Sequence, residues 1–190
     1  MKRHLVIFAR APQFGRVKRR LAAAIGPAAA MRFYRQTLDR QIRTLSRDRR
    51  WTVWLFLTPD PAPRRANVRG QGQGDLGQRM KRPFRLLPPG PVVLVGSDIP
   101  AMQPRHIARA FALLGRHDLV FGPASDGGFW LIGARRSRPL PRSLFAKARW
   151  STRHALADTL STIPPGYTTA IADTLDDVDD ANDLRRWHGC

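Results

Sequence analysis

The residues best suited to chemistry are carboxylates, and Asp98 stands out among them. It closes the run Pro91-Val92-Val93-Leu94-Val95-Gly96-Ser97-Asp98-Ile99-Pro100. A carboxylate at the carboxyl end of a buried strand stands where open α/β sheets bind ligands, placed to hold a divalent cation against phosphate oxygens. The bland alternative is a helix cap, since Ser97 and Asp98 are cap-type residues ahead of a helix from about Pro104. A second group of acids, Asp173, Asp176, Asp177, Asp179, Asp180 and Asp183, crowds the C-terminal region of a chain with only 14 acids. Part of that cluster reads as capping of a last helix. Asp177 and Asp179, on either side of Val178, are the pair that can share a metal with Asp98. Asp126 sits in Pro123-Ala124-Ser125-Asp126-Gly127-Gly128, where Asp-Gly is also ordinary hairpin chemistry. No histidine pair has metal-ligand spacing, and no Ser-His-Asp or Cys-His arrangement stands out.

Cations complement these acids. The stretch Ala9 to Leu21 holds Arg10, Pro12, Gly15, Arg16, Lys18, Arg19 and Arg20. Basic side chains between a strand end and a helix start make an anion site, most often for phosphate. The Gly-x4-Gly-Lys-Ser/Thr spacing of a P-loop is absent, and a solvated basic loop is the competing account. Gly72-Gln73-Gly74-Asp75-Leu76-Gly77 matches G-x-G-x-x-G literally. The dinucleotide fingerprint needs a strand directly before the first glycine. The sequence reads as loop over 61–74, so the nicotinamide reading is rejected. Carboxylates, a metal cation and basic phosphate clamps together suit group transfer from a nucleotide.

The elements that must position these groups follow from periodicity. Leu5–Ala9, Trp51–Thr58 and Val92–Gly96 read as buried strands. Leu119–Gly122, Phe129–Gly133 and a short segment near Tyr167–Ile171 read as three more. Met31, Tyr34, Leu38, Ile42 and Leu45 recur at helical spacing from Pro27 to about Arg47, with Arg32, Arg40, Arg43 and Arg47 on the solvated side. Further helices are expected over about 104–115, 152–161 and Asp180 to Trp187. Alternating strands and helices predict an α/β fold with a mostly parallel sheet covered on both faces.

At 190 residues the expectation is one domain over 1–190, without staples. The only cysteine is Cys190, which excludes a disulfide within the chain and a thiolate zinc site. The apolar run after Met1-Lys2-Arg3-His4 is too short for a signal peptide and no window would span a membrane, so the chain reads as cytoplasmic. The formal charge is +19, and 29 of the 33 cationic residues are arginines. Such a field attracts polyanions. The arginines are scattered, however, and lack the interleaved aromatics of a nucleic-acid surface, which argues against that partner. Nothing in the pattern fixes an oligomeric state.

Taken in order along nearly the whole chain, these segments resemble the bacterial DUF2064 family, also described as radical-SAM/selenodomain-associated transferase 1. The family pattern F-x-K-x-P-x-x-G-x-V-K-T-R-L resembles Phe8 to Leu21, and its Q-x-G-x-L-G-x-R-M resembles Gln71 to Met80, with Gly77 and Arg79 in register. Its G-[ST]-D-x-P is Gly96 to Pro100 and its G-P-x-x-D-G-G-[YF] is Gly122 to Phe129. Trp150-Ser151-Thr152 matches a W-S-T step, and Asp177 to Leu184 matches D-[IV]-D-x-x-x-D-L. Arg19 and Asp180 stand where the family usually has threonine, and the loop between the second strand and Gly77 is short.

The resemblance implies a Rossmann-like GT-A fold and a Mg2+ or Mn2+ ion. It implies transfer from a nucleotide-sugar or NTP donor to a small-molecule acceptor. Gly15, Lys18 and Arg20 would hold the donor phosphates, with Arg10, Pro12 and Arg16 beside them, and Gln73, Gly77 and Arg79 would line the nucleotide pocket. Asp98 would be the principal metal ligand with Asp177 or Asp179 as the second, and Asp126 would face the acceptor. Glycosyl transfer leads, nucleotidyl transfer with release of pyrophosphate is the alternative, and a polyanion-binding protein on a degenerate transferase fold is the third reading.

Overall fold

The computed structural model describes residues 1–61 and 66–188. Its seven strands form one sheet in the order β3-β2-β1-β4-β6-β5-β7. They are β1 (His4–Arg10), β2 (Thr52–Thr58), β3 (Val68–Gly70), β4 (Val92–Gly96), β5 (Leu119–Pro123), β6 (Phe129–Ala134) and β7 (Thr169–Ile171). The helices are α1 (Arg19–Ile25), α2 (Pro27–Ser46), α3 (Leu76–Leu86), α4 (Pro104–Leu113), α5 (Ala155–Ser161) and α6 (Ala181–His188). Among the described residues no helix is long and apolar enough to cross a membrane.

Only β6 runs against its neighbours, pairing antiparallel with both β4 and β5. The other pairs are parallel, as the alternation of strands and helices predicts. Because side chains alternate across a strand, the central strands serve two cores. Leu5, Ile7, Val93 and Val95 face one core, together with Tyr34 and Leu38 of α2 and Ile107 and Phe111 of α4. Val6, Val92 and Leu94 face the other, with Met80 and Phe84 of α3 and with Leu144 and Phe145. Burial on both faces explains why these strands read as unbroken apolar runs.

The chain builds β1, β2 and β3 outward on one side, then crosses back to lay β4 against the other side of β1. That reversal of direction leaves a crevice at the carboxyl ends of β1 and β4, the position where open α/β sheets bind ligands. Tyr34 ties the two exits together. Its hydroxyl donates to Arg10 O at 2.8 Å, accepts from Arg10 N at 3.1 Å and lies 3.1 Å from Ser97 Oγ.

Two expectations need correction. Residues 61–74 are not all loop: β3 pairs in parallel with β2 from Leu55↔Val68 to Leu57↔Gly70, and α3 opens directly after the glycines. A strand therefore does precede Gly72, so the absence of one is no ground against a dinucleotide there. What counts against pyrophosphate is instead the helix start itself. Asp75 Oδ1 accepts from Gln78 N at 2.7 Å while Gln78 Oε1 accepts from Asp75 N at 3.2 Å, so a capping box takes up two of the amides there and sets a carboxylate at the helix start, where it competes with a phosphate. The segment was misread because a three-residue edge strand carries almost no periodic signal.

Tyr34→Phe should lower stability by about 1–2 kcal/mol, since it leaves the Arg10 amide without its acceptor. Urea unfolding of the two proteins checks this.

Candidate functional site

Loops from the carboxyl ends of β1, β4 and β5, and the segment following β7, meet at this crevice. After β1 the chain turns at Gly15, whose φ of +69° lies in the left-handed region glycine favours, and reaches Lys18. Lys18 is itself left-handed (φ 48°, ψ 47°) and stands at the N-cap of α1 with no side-chain cap. A non-glycine residue held there costs about 1 kcal/mol or more, and the surrounding contacts must hold it. Those contacts are two carboxylates: Lys18 Nζ donates to Asp98 Oδ2 and to Asp179 Oδ1, each at 2.5 Å. The lysine side chain is only 4% exposed. Arg20 donates to the second oxygen of Asp179.

The acids arrive from two places. Asp98 follows β4 directly. Asp177 and Asp179 lie on an extended segment after β7, pinned where Val178 N donates to Asp98 O at 3.1 Å and Leu175 N to Pro123 O at 3.1 Å. Val178 is buried, so the alternation of an extended chain turns both flanking carboxylates toward the crevice. Ser125 holds the same segment through Asp176, its N and Oγ donating to the two carboxylate oxygens at 2.7 and 2.9 Å. Asp180 and Asp183 cap α6, as expected: Asp180 Oδ1 accepts from Asn182 N and Asp183 N, and Asp183 Oδ2 accepts from Asp179 N and Asp180 N, while Asp173 accepts from Arg109 Nη1 at 2.8 Å.

One carboxylate oxygen from each of Asp98, Asp177 and Asp179 lies within 4.8 Å of the others. Burial pushes the Asp177 carboxyl up to about 7, and the neighbouring charges of Asp179 and Asp98 add to it. Asp179 goes the other way. Burial opposes its ionisation, yet Lys18 and Arg20 hold it below the usual carboxylate range. For Lys18 burial favours the neutral amine, but Asp98 and Asp179 outweigh that and raise it. The cluster fits a divalent cation on the structure's own showing: it is all hard oxygen donors, which suits Mg2+ or Mn2+, and two of its members already hold a cation, the Lys18 ammonium.

On one side of the acids lies a cavity of about 770 Å3 lined by Arg10, Arg16, Lys18, Arg19, Arg20 and Arg79, with Tyr34, Gln71, Ser97 and Trp150. Gln71 is buried and locked by donating from Nε2 to Ala9 O and Phe56 O at 2.9 and 3.1 Å. Its Oε1 accepts from Arg79 Nη1 at 2.9 Å, and Arg79 Nε is buried without a partner among the described residues. On the other side a second cavity of about 730 Å3 shares the three acids and Trp150 and adds Asp126, Phe129, Trp130 and Arg153. Asp126 is exposed; its Oδ1 accepts from Gly128 N at 2.8 Å, and its Oδ2 makes no hydrogen bond among the described residues.

Of the residues singled out from sequence, Arg10, Arg16, Lys18, Arg20, Arg79, Asp98, Asp177 and Asp179 converge on the first cavity, and Asp126 lines the second. Pro12, Gly15, Gln73 and Gly77 are not among the lining residues. Gly77 is buried against its neighbours, where a Cβ would stand 2.7 Å from Phe145 Cβ and 3.0 Å from Trp150 Cζ2. Sequence reading named Gln71 only as the first residue of the Gln71–Met80 pattern, without a role, and saw Tyr34 only as core. That pattern was the available signal for Gln71; the role itself depends on burial and partners, which sequence does not report.

A protein of the same fold from Desulfovibrio desulfuricans G20, provisionally described as a nucleotide-diphospho-sugar transferase, is 27% identical, with a TM-score of 0.90 over 98% of this chain and 87% of its own. The 4-diphosphocytidyl-2C-methyl-D-erythritol synthase of Anaerococcus prevotii DSM 20548 is 9% identical, with a TM-score of 0.62 over 99% and 95% of the two chains. Rv0371c of Mycobacterium tuberculosis H37Rv, in complex with manganese, is 17% identical, with a TM-score of 0.50 over 98% and 97%. The last two likenesses concern the fold alone. No curated protein matches the chain.

Replacing Lys18 by Met should cost about 2–3 kcal/mol, less than a fully buried pair would because both acids are partly open to water. Added Mn2+ should recover more stability in K18M than in the native protein, read by thermal unfolding. Between pH 4 and 7 native Asp177 keeps a proton that the unfolded chain has lost. Its contribution to stability must therefore fall as pH rises through that window. In metal-free buffer the stability of Asp177→Asn relative to wild type should accordingly increase from pH 4 to pH 7.

The model of a family described as "Uncharacterized protein conserved in bacteria (DUF2064)" matches residues 32–152. That span takes in Gln71–Met80, Gly96–Pro100, Gly122–Phe129 and Trp150–Thr152, while the basic loop and the Asp177–Leu184 segment lie outside it. With well over half of its length matched, the chain belongs to the DUF2064 family.

Proposed function

We propose that this protein is a metal-dependent transferase that moves a glycosyl group from a nucleotide-activated donor to a small-molecule acceptor. The observation that carries this reading is the junction of two cavities at one acid cluster, one side lined by cations and the other holding Asp126. Its likeness to the Desulfovibrio desulfuricans protein, described as a nucleotide-diphospho-sugar transferase, supports the donor class. Manganese in Rv0371c belongs to that protein; here the case for a metal rests on Asp98, Asp177 and Asp179.

In this reading the donor lies in the first cavity, its phosphates paired by Arg16, Lys18, Arg19 and Arg79. A divalent ion on Asp98, Asp177 and Asp179 would supply Lewis-acid stabilisation of the leaving diphosphate. Asp126 presents its free carboxylate oxygen to the acceptor hydroxyl and takes its proton. The bond between the anomeric carbon and the donor phosphate oxygen breaks, a bond to the acceptor oxygen forms, and a nucleoside diphosphate leaves. Trp150, shared by both cavities, separates the two substrates and limits access of water to the donor.

Nucleotidyl transfer is the second reading. It is favoured by the number of cations on the donor side, which suits a triphosphate, and by the fold shared with the 4-diphosphocytidyl-2C-methyl-D-erythritol synthase. A panel of nucleotide sugars and nucleoside triphosphates, with and without Mn2+, should reveal one donor whose metal-dependent binding raises stability by roughly 2.7 kcal/mol at 100 times its dissociation constant. Asp98→Asn should remove the metal-dependent part of that shift. Release of nucleoside diphosphate supports glycosyl transfer, and release of pyrophosphate overturns it in favour of the second reading.

A further inference from the structure

We infer that the acceptor carries an anionic group, a carboxylate or a phosphate, and that Arg153 in the second cavity is the residue that selects for it; this rests on the transferase reading above. The cavity's acids are Asp98, Asp126, Asp177 and Asp179, and its cations are Arg20 and Arg153. Arg20 is already committed to Asp179. Arg153 pairs with no carboxylate among the described residues, and the one hydrogen bond its side chain makes among them is a long 3.5 Å approach of Nε to His154 Nε2.

The Arg153 side chain is exposed, but its backbone is fixed against the Asp126 turn. Gly127 (φ +83°) lets the Asp126 turn lie directly on the Arg153 backbone, where a Cβ would fall 2.1 Å from Arg153 O. Leu156 N donates to Gly127 O at 3.0 Å and fastens the start of α5 to the same turn. Two residues of opposite charge therefore stand on touching backbone segments, line one cavity and make no ion pair with each other among the described residues. Each is left to address a different group of one ligand.

The chemistry of that ligand follows. Asp126 suits a hydroxyl, and a guanidinium fork suits the paired oxygens of a carboxylate or phosphate. An anion entering a wall of four aspartates needs such a counter-charge, whereas a neutral acceptor has no use for it. Met80, Phe129 and Trp150 supply an apolar side for the carbon skeleton, and about 730 Å3 is room for a small molecule.

The test uses the full-length protein with Mn2+ and the donor identified by binding, offered matched sets of acceptors: hydroxycarboxylates, phosphomonoesters bearing a free hydroxyl, and their neutral parent alcohols. Product formation is expected with anionic members and not with the neutral parents, and the set that reacts tells carboxylate from phosphate. Arg153→Gln should lower kcat/KM for that acceptor roughly tenfold to a hundredfold, with donor affinity and thermal stability unchanged. Arg153→Lys should restore part of the loss. Transfer to neutral parents alone, no transfer to any anionic member, or unchanged kinetics in R153Q overturns the anionic acceptor. If the donor still binds with metal in those cases, the transferase reading stands; if no nucleotide shows metal-dependent binding, both fall.

Discussion

Three carboxylate oxygens within 4.8 Å of one another, partly withdrawn from water, repel, and the fold must offset that repulsion to hold them there. Lys18 does so for two of them, and the consequences run outward from its ammonium. To deliver it, the loop after β1 accepts a left-handed, uncapped start to α1. To receive it, the segment after β7 must cross the ends of β5 and β4, pinned by backbone bonds at Leu175 and Val178. The third acid, Asp177, has no such partner among the described residues, and burial together with the charges of Asp179 and Asp98 pushes its carboxyl up to about 7. A site with one neutralised pair and one waiting carboxylate has room for more positive charge, which is the electrostatic state expected of a cation-binding centre.

The arrangement also divides the crevice. Because the acids project between two cavities, any group bound to them faces a cation-rich chamber on one side and Asp126 and Arg153 on the other. The basic excess of the chain matters here only locally. Most of its arginines lie scattered over the surface, but those of the β1 loop and Arg79 are turned into one chamber by the sheet. Arg79 shows how: Gln71, anchored on two backbone carbonyls, fixes one guanidinium nitrogen of a side chain that lines the cavity.

Much of the frame was legible in the residues themselves. Apolar runs at Leu5–Ala9 and Val92–Gly96 predicted central strands because burial on both faces removes polar alternation, and the spacing of Tyr34, Leu38 and Leu45 predicted α2. The edge strand Val68–Gly70 and the helix Leu76–Leu86 escaped notice. A three-residue strand is stabilised by its pairing with β2, which no local pattern reports, and the glycines before α3 read as loop.

The sequence by itself determined which elements form and which residue types are available: an acid directly after a buried strand, a lysine among arginines after another, and an Asp-Val-Asp step near the end. Only the tertiary structure decided which of them meet. Lys18 reaches Asp98 across 80 positions and Asp179 across 161, separations at which nothing in the local pattern carries information. The same holds for Asp126 and Arg153, neighbours only because Gly127 allows one backbone to lie against another. Secondary structure follows from periodicity and propensity over a few residues. Charge pairing depends on distance in space, which the order and direction of the strands in the sheet alone settle.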